Sequence, residues 1–127
     1  ITSLIEQEKA RGVASDQIFL GGFSQGGALS LYLGLRYAEK LAGIIGLSTY
    51  LPASASISTE RSELNQGTPI FMAHGLEDPM IPIGLAQNSR RVLEQLEYQL
   101  TWRTYPMQHS ICDAEIRDLS QFFSTYL

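Results

Sequence analysis

The sequence predicts an α/β domain, a mostly parallel sheet with helices on both faces. Three observations carry that prediction. Short apolar runs recur along the chain, as "QIFLGGF", "AGIIGLST" and "PIFMAHG". Between and after them lie stretches whose apolar residues repeat at helical spacing. The resulting order is helix, strand, helix, strand, loop, strand, helix, strand, helix. Such alternation argues parallel strands joined by crossover helices.

Each element has its own signal. Ile1, Leu4 and Ile5 repeat at helical spacing, and Gly12 suits the end of that first helix. Gln17 to Phe23 is a short apolar run closing in glycines, as a buried strand would. From Gln25 to Lys40 the pattern is a helix, with Ala28, Leu31, Tyr32 and Leu35 on one face. Its other faces are apolar too, so it should be well buried. Ala42 to Thr49 and Pro69 to Gly75 read as further buried strands. Leu85, Val92, Leu93 and Leu96 form the stripe of a helix from about Ile83 to Glu97. Leu100 to Tyr105 alternates with polar residues, as a strand near a sheet edge does. A last helix runs from about Asp113, with Ile116, Leu119, Phe123 and Tyr126 inward. Tyr50 to Thr68 shows no pattern; a segment of that length is either functional or a cover.

Composition narrows the function classes. The 127 residues are 44% hydrophobic and 17% charged, as in a single globular domain. The net charge is −4, and the nine basic residues form no stripe, which argues against nucleic-acid binding. No apolar run is long enough to span a membrane. Cys112 is alone, so no internal disulfide forms, which fits a reducing, cytoplasmic compartment.

One motif carries chemistry. In "GGFSQGG", Ser24 follows a predicted strand and precedes a predicted helix. Gly-x-Ser-x-Gly in that context is a tight turn that exposes a nucleophile beyond the carboxyl end of a strand. Residues two before and two after must be small, here Gly22 and Gly26; Gly27 and Ala28 let the helix approach the sheet. The backbone N–H of Gln25 is a candidate donor to an oxyanion. A serine hydroxyl needs a base, and the chain offers two histidines, His74 and His109. With the chain order serine, acid, histidine, only His109 has strand-end acids between it and Ser24. Asp78, just past the strand Pro69 to Gly75, fits the acid, with Glu77 as the alternative. His74 is expected to be structural, its ring hydrogen-bonded near the strand end. Asp113 and Asp118 read as charges of the last helix, and Cys112 as a small, partly buried residue.

At this point the motifs "GFSQGG", "LSTYLP", "HGLEDPMIP" and "YPMQHSICDAEI" resemble, in order and spacing, the acyl-protein thioesterase/carboxylesterase family of small α/β-hydrolases, also called the phospholipase/carboxylesterase family. The resemblance implies an α/β-hydrolase fold and a triad of Ser24, Asp78 and His109. It implies hydrolysis of acyl esters and thioesters, including fatty-acyl cysteine on proteins, lysophospholipids and small aryl esters, with no metal or organic cofactor. Transient contact with a membrane surface goes with such substrates. One departure is Gln108, where many bacterial members have glycine. The larger departure is length. The chain matches the C-terminal portion of one such domain, without the first strands and the loop that gives a second oxyanion donor. The edge of strand Gln17 to Phe23 is then expected to meet that N-terminal segment or a dimer partner. Other readings are a different hydrolase on the scaffold, such as a serine peptidase or a dienelactone-hydrolase relative, and a non-catalytic binding module.

Overall fold

A computed structural model describes residues 2–127, so the reading of Ile1 as part of the first helix lies outside the described residues. Four strands, β1 (Phe19–Phe23), β2 (Gly43–Leu47), β3 (Ile70–Gly75) and β4 (Leu100–Tyr105), form one sheet in the order β1-β2-β3-β4. Every neighbouring pair is parallel, with Phe19 beside Gly43, Ile44 beside Ile70 and Ile70 beside Leu100. β2 and β3 are buried throughout, which is why their sequences are continuous apolar runs rather than alternating ones.

The helices are α1 (Thr2–Ala10), α2 (Gln25–Arg36), α3 (Ile57–Glu60), α4 (Ile83–Gln95) and α5 (Asp113–Tyr126). Two hydrophobic cores lie on the two faces of the sheet. On one, Leu31 and Leu35 of α2 and Leu93 of α4 pack with Ile44, Ile70 and Met72. On the other, Phe122 of α5 packs with Ile45, Leu47, Phe71, Ala73 and Tyr105. Helices therefore cover both faces, as predicted. α1 ends before Gly12, whose φ of 94° lies in the region glycine favours after a helix.

Several boundaries and faces differ from the sequence reading. The strand expected from Gln17 begins at Phe19, because Ser15–Gln17 forms a 3-10 turn. β2 is shorter than Ala42 to Thr49. The helix expected to reach Lys40 stops at Arg36. Buried Asn65 explains the stop: its Nδ2 donates to the carbonyls of Tyr37 and Glu39, and its Oδ1 accepts from Leu41 N–H. These bonds hold the connection outside a helix. The patternless segment packs into the α2–α4 core through Leu51 and Ile57.

Two helical stripes are rotated. Leu85, expected inward, is 51% exposed, and α4 buries Ala86, Ser89 and Leu93 instead. Ser89 is polar yet buried because its hydroxyl accepts the N–H of Leu51 and donates to the carbonyl of Leu85. Ile116, also expected inward, is 53% exposed; α5 buries Glu115 and Phe122, with Leu119, Phe123 and Tyr126 partly buried.

The two sheet edges are unlike. β4 is polar, with Thr101, Arg103 and Thr104 along it. β1 has β2 as its single strand neighbour among the described residues, and it carries no charge. Beside its free edge runs an apolar groove of about 280 Å³, lined in part by Leu4, Ile18, Leu20, Gly21 and Gly26.

Candidate active site

Ser24 stands between β1 and α2 with φ 55° and ψ −118°, a conformation few non-glycine residues hold. The turn that produces it is tight. A Cβ on Gly22 would run into the backbone of Gly26, and one on Gly27 would lie 2.7 Å from the Gly22 carbonyl oxygen. Gly22 and Gly27 are therefore required as expected. Gly26 is not: a Cβ there meets nothing within 4 Å, because it faces the groove beside β1.

The loop of residues 106–112 after β4 brings His109 within hydrogen-bond distance of Ser24. Its Nε2 lies 3.0 Å from Ser24 Oγ, and its Nδ1 lies 2.7 Å from Asp78 Oδ2. With Nδ1–H donating to the carboxylate, Nε2 is free to accept the serine proton. The ring of Phe23 packs against the imidazole, with centroids 4.8 Å apart. Gly75 makes room for the loop, since a Cβ there would collide with the carbonyls of Met107 and Gln108.

Asp78 is buried beyond β3. Its Oδ1 accepts the N–H groups of Met80 and Ile81, both at 2.9 Å. Burial works to raise its pKa, but the N–H of Ile81, the His109 ring and the N–H of Met80 outweigh it and hold the carboxyl below its usual value. The charged form is thus the one held against His109. The neighbouring Glu77 is exposed. His74 is 1% exposed, and its Nε2–H donates to the carbonyl of Ile81 at 2.7 Å. That bond ties the strand end to the turn that presents Asp78. Gln25 is the first residue of α2; N–H groups of a first turn have no intrahelical acceptor, so its N–H is available beside Ser24. Cys112 is free and partly buried.

The structure thus brings Ser24, Asp78 and His109 into one hydrogen-bonded series. Sequence reading missed Thr49, whose hydroxyl donates to the carbonyl of Ser24, and Ser48, whose hydroxyl donates to the carbonyl of Ser110 beside His109. The signal was a polar pair closing the apolar run "AGIIGLST". No helix among the described residues is long and apolar enough to cross a membrane.

Comparison with known proteins agrees with this architecture. Acyl-protein thioesterase 1 of Gibberella zeae is 41% identical over 98% of this chain, and that of Neurospora crassa 42% identical over 98%. The chain spans about half the length of these curated relatives, 54% and 52%. The crystal structure of Arabidopsis thaliana SOBER1 superposes with a TM-score of 0.90 at 31% identity, covering 98% of this chain and 60% of that one. Zea mays acyl-protein thioesterase 2, at 20% identity and a TM-score of 0.84, shares the fold. Residues 1–127 match the phospholipase/carboxylesterase family along their whole length, and the chain belongs to that family.

Proposed function

We propose that this chain carries the reacting groups of a serine hydrolase that cleaves carboxylic esters or thioesters through an acyl-enzyme. The observation that supports this most directly is the series Asp78–His109–Ser24, at 2.7 and 3.0 Å. His109 Nε2 takes the hydroxyl proton as Ser24 Oγ attacks the acyl carbonyl. Asp78 keeps the ring in the right tautomer and stabilises the imidazolium. The tetrahedral oxyanion accepts the N–H of Gln25, aided by the positive end of α2. His109 then protonates the leaving thiol or alcohol. Water repeats the cycle on the acyl-enzyme and frees the acid.

The substrates are acyl esters and thioesters, with lipid-modified protein cysteines as the class the relatives' names favour. Lysophospholipids fit the same chemistry. Such acyl chains reside at membrane surfaces, so the protein would meet a membrane transiently. Residues 1–127 would be the C-terminal portion of one domain. Its first strands, or failing them a second copy, would pair with the free edge of β1 and fill the adjoining groove. The same segment would supply a second oxyanion donor.

The test is labelling of the full-length protein by a fluorophosphonate probe, beside turnover of aryl-ester, acyl-thioester and amide substrates. Labelling that is lost in Ser24→Ala, with ester and thioester cleavage above amide cleavage, is expected. Labelling that survives Ser24→Ala would reject the assignment, and preferential amide cleavage would make it a peptidase.

A further inference from the structure

The reactive serine is held in a strained backbone, and strain of this kind persists only where surrounding groups over-determine it. Two of those groups come from the end of β2. The N–H of Ser24 donates to the carbonyl of Leu47 at 2.8 Å. The carbonyl of Ser24 accepts the hydroxyl of Thr49 at 2.7 Å. The peptide groups on both sides of the nucleophile are therefore gripped by residues two apart in one neighbouring segment.

The local chain is built to make that grip. Ser48 between them adopts φ 52°, unusual for a residue other than glycine, while its own N–H is fixed to the carbonyl of Ala73 on β3 at 2.8 Å. This kink turns β2 so that the next side chain points back at β1 rather than along the sheet. Thr49 is fully buried. Its Cγ2 lies 2.9 Å from where a Cβ would stand on Gly27, and equally 2.9 Å from that of Gly46. Two glycines thus leave the space that its methyl occupies. The methyl sets where the side chain sits, and the hydroxyl is the group that reaches Ser24.

We infer that Thr49 is a positioning residue for the nucleophile: its hydroxyl, donated to the Ser24 carbonyl, holds the strained turn that keeps Ser24 Oγ within reach of His109. This rests on the serine-hydrolase reading above. It adds a residue that touches neither substrate nor the imidazole and acts through the backbone of Ser24. The Ser24 carbonyl also accepts the N–H of Ala28 at 3.0 Å. Loss of the Thr49 hydroxyl therefore leaves that oxygen partnered and lets the turn relax rather than unfold.

The experiment compares wild type, Thr49→Val, Thr49→Ser and Ser24→Ala in the full-length protein. Thr49→Val keeps the shape and removes the hydroxyl; Thr49→Ser does the reverse. The readouts are kcat and KM on an aryl ester, the rate constant of fluorophosphonate labelling, and Tm. A small displacement of a reacting atom is worth one to two powers of ten, so Thr49→Val should lower kcat and the labelling rate about tenfold or more with KM within about twofold. Thr49→Ser should stay within about threefold of wild type, because it can still donate. The pH profile of kcat/KM should not move in either variant, since Thr49 does not touch His109. Wild-type rates in Thr49→Val would overturn the inference and leave the serine-hydrolase reading standing. Equal loss in Thr49→Ser would also overturn it, by assigning the effect to packing. A wild-type protein that labels no better than Ser24→Ala would remove both.

Discussion

The two histidines stand on either side of one aspartate, and their surroundings differ in every respect that matters for proton transfer. His109 approaches Asp78 Oδ2 at 2.7 Å and Ser24 at 3.0 Å, from a loop that leaves its side chain 13% exposed. His74 sits 3.5 Å from the same oxygen with its side chain 1% exposed, and its Nε2–H is committed to the carbonyl of Ile81. One ring faces a hydroxyl and solvent; the other is enclosed and spends its N–H on a turn. Proximity to a carboxylate is thus not what separates the two rings. The separation lies in what the second nitrogen faces. For His109 it is Ser24 Oγ. For His74 it is Nδ1, which is buried without a hydrogen-bond partner among the described residues.

The largest effect expected is on the shared partner. Asp78→Asn should cost on the order of 10⁴ in kcat, because the amide favours the wrong tautomer of His109, while the fold survives. A comparable loss in Glu77→Gln with Asp78→Asn near wild type would put the acid one residue away. Next comes the base: His109→Ala should lower kcat by roughly 10³-fold or more with little change in Tm. His74→Ala should do the opposite, losing roughly 3–4 kcal/mol of stability through a cavity and an unpaired Ile81 carbonyl. If these two phenotypes are exchanged, the contrast between the rings collapses.

The smallest effect sharpens the comparison through pH. Glu115, in the first turn of α5 and six residues past His109, is fully buried, and among the described residues neither of its oxygens has a partner at full hydrogen-bond geometry, the N–H of Cys112 offering only a weak opposing pull. Burial pushes its pKa from 4.5 up to about 7. The folded state therefore holds the proton more tightly than the unfolded chain, and stability falls as pH rises between those values. The loss from pH 5 to pH 8 should approach ~3 kcal/mol and be absent in Glu115→Gln. Asp78 acts in the other sense: its lowered pKa gives stability present above 3.8 and lost as pH falls through the folded value. Hydrogen-exchange protection should fall at residues 109–115 above pH 7 and not around His74. Uniform protection across that range would separate Glu115 from the His109 loop.

Much of this was legible in the sequence, and the misses share a cause. The strands announced themselves because a strand buried on both faces has no choice but to be apolar. Ser24, Asp78 and His109, which the structure hydrogen-bonds together, were singled out by a turn motif, a strand end and the shortage of histidines. The helix faces were harder. Leu85 and Ile116 are large and apolar, so they drew the stripe toward themselves, yet Ser89 and Glu115 occupy the buried faces. Ser89 is inside because of a bond to Leu51, 38 residues away, which no local period can register. Asn65 ended α2 from a distance of the same kind. Gly26 looked obligatory by its place in the motif, but the space it faces is open in this chain. Thr49 had only its polarity to mark it.

The sheet's spatial order is also its order of synthesis, with β1, β2, β3 and β4 laid down side by side as the chain grows. A ribosome can therefore deliver each strand onto an edge already in place, and no later strand must thread between earlier ones. Ser24 and His109, however, are separated by 85 residues. At the usual elongation rate of about 5–20 residues per second, the serine emerges roughly 4–17 s before its histidine. Through that interval the Ser24 hydroxyl has no imidazole partner. The hydrogen-bonded series of Ser24, His109 and Asp78 is completed only by the loop after β4, once the strands that shape it have been made.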